Sequence, residues 1–200
     1  MTDIKLRKIE INDDIKTLTE LVYDTDPYIY KDLFGDKSNA LNLFKILLND
    51  KKSLFYRDHF YGAFIGDNIV GIMSVIASNY EWDADSMRLA YMELGIKMPD
   101  SAKAANEYLS QSFSRIGAKS VACNICVNAD YRHMGIGDFL VKKIISIAGR
   151  NPIELCVIAE NIPAVKLYEN NGFKIIEEKL EYGGYGQEDV LCYAMVRMPS

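Results

Sequence analysis

Arg132-His133-Met134-Gly135-Ile136-Gly137 is the stretch that decides the fold. It lies between an apolar run at 121–127 and an amphipathic segment that continues to Ala148. A strand that feeds a glycine-bracketed turn and then a helix gathers unpaired backbone N–H groups at one point, and the helix dipole adds partial positive charge there. Such a spacing predicts a phosphate site. The helix rests on Ile136, Leu140, Ile144 and Ile147 as one apolar stripe, with Asp138, Lys142, Lys143 and Ser146 opposite and Gly149 as stop.

Spacing then narrows the ligand. A nucleoside triphosphate loop ends in Gly-Lys-Ser/Thr, but Gly137 is followed by Asp138 and Phe139. A dinucleotide turn needs a third glycine where this chain has Leu140, and it follows a first strand rather than lying past mid-chain. What remains is an Arg/Gln-x-x-Gly-x-Gly/Ala turn, and here the sequence resembles the GNAT family of acyl-CoA-dependent N-acetyltransferases. A second segment carries the same resemblance: Asn161-Ile162-Pro163-Ala164-Val165-Lys166-Leu167-Tyr168-Glu169-Asn170-Asn171-Gly172-Phe173 is similar to that family's Asn-x-x-Ala-x-x-Leu-Tyr-x-x-x-Gly-Phe run. Asn161 suits an N-cap, Pro163 a first turn and Gly172 a left-handed stop.

Composition agrees with one compact enzyme domain over 1–200. The chain is 49% hydrophobic and 26% charged, as soluble globular proteins are. A net charge of −5 and a pI near 5.1 argue against nucleic-acid or anionic-membrane partners and lean toward neutral or cationic acceptors. The first five residues hold no apolar signal core and no apolar run approaches a membrane span, so a cytoplasmic protein is expected. Cys123 and Cys126 lie within an apparent strand, where positions three apart point to opposite faces; with only two histidines, reduced thiols are expected and no metal site.

Periodicity gives a strand at 5–11, helices at 13–23 and 38–49 (the second capped by Ser38), and strands at 60–65 and 69–77 joined by a tight turn. An insert at 78–119 follows, with helices at 86–94 and 101–116, the latter turning Ala105, Leu109, Phe113 and Ile116 inward before Gly117. After the strand, turn and helix at 121–148 come a strand at 153–158, the Asn161 helix, and strands at 174–182 and 189–198. Without the insert this order is that of the GNAT fold: an α/β mixed sheet, mostly antiparallel, with a splayed parallel strand pair and helices on both faces.

The resemblance implies acetyl-CoA as co-substrate and no metal. It places Ile125, Cys126 and Val127 on the pantetheine arm, and the amides of His133, Met134, Gly135, Ile136, Gly137 and Asp138 on the diphosphate with Arg132 beside them. Asn161 would bond the pantetheine, Tyr168 would protonate the departing thiolate, and the Val127 backbone N–H would polarise the thioester oxygen. A phenol suits that acid because it stays protonated at neutral pH. The general base is less legible. Cys156 stands where some relatives place a carboxylate, leaving Glu154, Glu81, Asp83 and Asp85 as candidates, with Glu154 preferred. The acceptor site, in this fold walled by the turn between the first two helices and by the final hairpin, would draw on Asp26, Tyr28, Tyr30, Glu81, Tyr182 and Tyr185, whose carboxylates and rings suit an ammonium group. The insert is expected to roof it. The function expected is transfer of an acetyl group to a primary amine of a small molecule or peptide by direct attack in a ternary complex. The alternatives are a non-catalytic acyl-CoA-binding module and a protein N-terminal or lysine acetyltransferase; a homodimer stays open.

Overall fold

The computed structural model describes residues 3–77, 80, 82–113 and 120–199. One sheet holds seven strands: β1 (Lys5–Lys8), β2 (Phe60–Ile65), β3 (Asn68–Ala77), β4 (Ser120–Val127), β5 (Ile153–Ile158), β6 (Lys174–Glu181) and β7 (Val190–Arg197). Their spatial order is β1-β2-β3-β4-β5-β7-β6. Every neighbouring pair is antiparallel except β4 and β5, so the mixed sheet read from the sequence is the one observed. The parallel pair is joined only at its start, Ser120 opposite Ile153 and Val121 opposite Glu154. Past those residues the two strands part, leaving the far ends of β4 and β5 on either side of an open gap.

The cause of that parting is visible in β4. Ile72 pairs with Cys126 and Ser74 with Cys123, so two steps along β3 match three along β4. Asn124 takes up the extra residue with a left-handed backbone, φ +53°. Such a bulge bends a strand and increases its twist. It also corrects the expectation for the thiols: Cys123 and Cys126 both pack against the same core cluster, while Ile125 and Val127 pack against the other. One inserted residue restores the facing that strict alternation would have reversed.

Those two clusters lie on opposite faces of the sheet. The first is covered by α1 (Ile15–Tyr23), α2 (Ile29–Phe34), α3 (Lys37–Leu47), α4 (Asp85–Glu93) and α5 (Asp100–Phe113). The second is covered by α6 (Ile136–Ala148) and α7 (Ile162–Asn170). Asp14 caps α1 by accepting from the N–H of Thr17. The cap of α3 is Asp36, which accepts from the N–H of Asn39, and not Ser38, because the helix begins two residues earlier than a Ser38 cap would start it. Helix α2 is an addition to the two early helices expected: Asp26 and Pro27 do make a turn, but the carboxylate receives the N–H groups of Tyr28 and Ile29, both at 2.9 Å, and starts a helix too short to show a period. In α6 the stripe is centred toward Val141 and Ala148, so Ile147 falls at its edge in the last turn and is 41% exposed.

The insert supplies α4 and α5. Met87, Ala90, Tyr91, Ala102, Ala105 and Leu109 are buried in the first cluster, and the Tyr91 hydroxyl donates to the carbonyl of Leu33 on α2 at 2.9 Å. The expected inward placement of Ile116 and the stop at Gly117 lie outside the described residues, as does the side chain of Phe113. Among the described residues no helix is long and apolar enough to cross a membrane.

Candidate functional site

The turn after β4 has the geometry its spacing implied. His133 and Gly135 both hold left-handed backbones, φ +63° and +79°, with Met134 between them. Alternation of this kind curls successive N–H groups around a concavity that suits an anion. The first intrahelical bond of α6 runs from Phe139 N–H to Gly135 C=O at 3.0 Å, so the N–H groups of Ile136, Gly137 and Asp138 have no acceptor within the helix. The Asp138 carboxylate turns aside to Lys142 at 2.6 Å and to the Asn171 amide at 3.1 Å, which hold it ionised and partly offset its charge. Gly137 has a different role from Gly135. A Cβ there would sit 3.2 Å from Leu167, so its bareness lets α6 approach α7.

Helix α7 follows β5 directly. Asn161 is its N-cap, accepting from Ala164 N–H at 3.3 Å, which leaves the amide NH₂ as a donor. Tyr168 lies two turns on, buried to 7% against Phe173, and burial raises its pKa further above that of a free phenol, with Cys126 the nearby ionisable group. The phenol therefore stays protonated at any ordinary pH. Cys126 is itself pushed up to about 11 by burial, so it is a neutral thiol packed against the first cluster. Arg132 is exposed, with its Nε 3.5 Å from the Val127 carbonyl.

The other side of the gap gathers residues distant in sequence. A groove of about 600 Å³ runs along the end of β5, lined by Tyr28, Glu160, Ile162, Asp189 and Leu191 among others. Asp26, two residues before Tyr28, is half-buried, and loss of solvent raises its pKa against the pull of its two backbone bonds. Its negative charge acts to raise the pKa of Cys192 and Glu181 and opposes the lowering at Cys156. Tyr182 donates to Asp32 at 2.9 Å, and the Tyr185 N–H donates to the same oxygen at 2.5 Å, so α2 holds the final hairpin. The ring of Tyr108 on α5 packs on Tyr182 at 5.4 Å, bringing the insert to that hairpin.

Other expected site residues stand apart. Tyr30 is 6% exposed and its hydroxyl is bound to Asn124, so it is a wall of the core rather than a free donor. Glu154 is the second residue of β5, where that strand is still paired with β4. Asp83 and Asp85 open α4 beside Lys52 and Arg88 at the surface. Glu81 lies outside the described residues. Asn124, Asp32 and Asp189 were not singled out from the sequence. Only Asn124 left a signal, as the lone carboxamide in an otherwise apolar run.

Comparison with known proteins agrees with this geometry. Residues 102–175 match the family model described as the acetyltransferase (GNAT) domain. Over 78 residues the chain is 31% identical to the L-amino acid N-acetyltransferase AaaT of Escherichia coli (strain K12), covering 37% of this chain and 48% of that protein. The chain thus spans about half the length of the curated relative it matches. An N-acetyltransferase from Staphylococcus aureus Mu50 superposes with a TM-score of 0.66 at 17% identity, over 96% of this chain and 99% of that one. A crystal structure described as an acetyltransferase gives 0.67 at 15% identity, over 98% and 100%.

Proposed function

We propose that the chain transfers the acetyl group of acetyl-CoA to a primary amine of a small molecule or peptide, by direct attack in a ternary complex; the match of residues 102–175 to the GNAT domain model and the likeness in fold to solved acetyltransferases support this reading. The observation that carries this reading is the pair of left-handed residues, His133 and Gly135, at the head of α6, opening beside the gap between β4 and β5. The amides of 133–138 hold the diphosphate there, with Arg132 as counter-charge. The free edge of β4 at Ile125, Cys126 and Val127 pairs with the pantetheine amides as an added strand would, and the Asn161 NH₂ bonds the same arm.

Chemistry then needs an uncharged amine against the thioester carbon, a polarised carbonyl oxygen and a proton for sulfur. Val127 N–H supplies the polarisation. As the amine nitrogen bonds to the acetyl carbon and the carbon–sulfur bond breaks, Tyr168 gives its phenolic proton to sulfur, the nitrogen releases one of its own protons to solvent, and the phenolate takes one back, so the protons balance. Asp26 is a better candidate than Glu154 for receiving the amine. Its carboxylate is half-buried with a raised pKa and has one oxygen outside the α2 cap, and Tyr28, two residues on, lines the groove with Glu160 and Asp189. A cationic acceptor suits that lining. Tyr182 and Tyr185, tied to Asp32, with Tyr108 of the insert behind them, close the acceptor side.

Thiol release from acetyl-CoA, followed with a panel of amino acids, polyamines, aminoglycosides and short peptides, tests the reading. At least one amine should release free CoA in step with its own acetylation. Acetyl-CoA should also raise the melting temperature, since a ligand of the native state stabilises it. No such rise at millimolar acetyl-CoA would end the proposal.

A further inference from the structure

Asn124 is an anomaly in an apolar strand. Its backbone is left-handed, a conformation glycine adopts with least strain, and its side chain is 8% exposed. A buried carboxamide at such a point requires partners, and it has them on both sides. Its Oδ1 accepts from the Tyr30 hydroxyl at 2.5 Å and lies 3.3 Å from Thr25 Oγ1. Its Nδ2 donates to Ser74 Oγ at 3.1 Å, and Ser74 in turn donates to the carbonyl of Cys123 at 3.0 Å. Three segments thus meet at one amide: the α1–α2 turn with Asp26 next to Thr25, the middle of β3, and the bulge of β4.

The bulge stands between the last residue of β4 that pairs with β5, Val121, and the unpaired edge at 125–127. Whatever fixes its geometry fixes the direction in which that edge leaves the sheet. We infer that Asn124, tethered by Tyr30 and Ser74, is a positioning residue that locks the bulge of β4 to the α1–α2 turn, so that the acyl-holding edge and the acceptor wall move as one body. This deepens the proposed transferase reading and rests on it. The diphosphate turn lies beyond the tether and is unaffected by it, so loosening Asn124 misaligns the reacting groups without releasing the carrier. Alignment is where small displacements cost rate.

Asn124→Gly keeps the left-handed backbone and deletes the tether, whereas Tyr30→Phe removes one hydroxyl and keeps the packing. Each is measured for kcat, for KM of acetyl-CoA, for acetyl-CoA affinity by calorimetry, and for hydrogen exchange at 25–30 with and without acetyl-CoA. The expected result is a kcat lower by about tenfold in both variants with acetyl-CoA affinity held within about twofold. In the wild type, acetyl-CoA should slow exchange at 25–30; in Asn124→Gly that protection should vanish. Should Asn124→Gly not fold, Tyr30→Phe carries the same test. Wild-type kcat and wild-type protection in the variants would overturn the inference while leaving the transferase reading intact. Failure of the wild type to bind acetyl-CoA would remove the transferase reading itself.

Discussion

The two faces of the sheet are put together at different distances along the chain. On the α6–α7 face the diphosphate turn, its helix and the Asn161 helix follow one another, and the side-chain bond that ties them, Asn171 to Asp138, spans 33 residues. On the α1–α5 face the tie from Tyr30 to Asn124 spans 94 residues, and that from Tyr182 to Asp32 spans 150. A site built from consecutive elements carries its chemistry in local spacing. One built by closing long loops carries it in contacts that exist only after folding.

The largest effect that would sharpen this contrast is on the local side. Gly135→Val forces a β-branched residue into φ +79°, and the turn should lose its curl. Acetyl-CoA affinity measured by calorimetry should fall by about 100-fold, or roughly 2.7 kcal/mol, while the acceptor face keeps its hydrogen-exchange protection.

Next comes Tyr168→Phe, which removes the proton donor and little else from a buried ring. Its kcat should drop by about 10- to 100-fold with acetyl-CoA affinity unchanged. An equal loss in affinity would mean that the hydroxyl binds rather than acts.

Asp26→Asn tests the distant side. Burial holds the Asp26 carboxyl above its ordinary pKa, so the native state favours the protonated form. Stability from that preference is present below the unfolded carboxylate pKa and is lost as pH rises through the raised value, so replacing the charge at pH 7 should leave the melting temperature equal or higher. Activity should move the other way. In the wild type, kcat/KM for the amine falls as acid protonates Asp26, and in Asp26→Asn it should be about tenfold lower with that step of the pH profile gone.

Thiol labelling gives a smaller, cleaner contrast. Cys156 is exposed and its thiol is acidified by a hydrogen bond from Cys192, whereas burial pushes Cys123 and Cys126 up to about 11. At pH 7.5 one thiol should react quickly and the others slowly, because the thiolate is the reactive form. Peptide mapping should place the first label on Cys156.

The smallest effect lies away from both sites. Arg7 clasps Asp13 through two bonds, at 2.7 and 2.6 Å, which holds the Asp13 carboxyl below its usual range. That stability is present above the unfolded carboxylate pKa and is lost as pH falls through the depressed value. Asp13→Asn should cost at most about 1 kcal/mol, since Arg7 is partly exposed.

Legibility in the sequence followed the same division. The strand at 153–158 was read to the residue, and the Asn161 cap and the Gly149 stop fell where the spacing put them, because each depends on neighbours within a turn or two. Helix α2 was missed because six residues carry no measurable period. The facing of Cys123 and Cys126 was reversed because a bulge shows only against the strand it pairs with. The cap of α3 falls at Asp36 and not at the expected Ser38 because two capping residues within two positions are told apart only by where the helix starts.

By itself the sequence determined the strands, the longer helices and the glycine turn at the head of α6, since hydrophobic period, capping and left-handed φ are properties of adjacent residues; the mixed sheet came from the resemblance to the GNAT family. Only the tertiary structure decided where β4 and β5 part, that Asp26 is half-buried, and that Asn124 joins β4 to α2 and β3. Those features arise from desolvation and hydrogen bonds between segments that meet only when the chain is folded, and no local pattern records them.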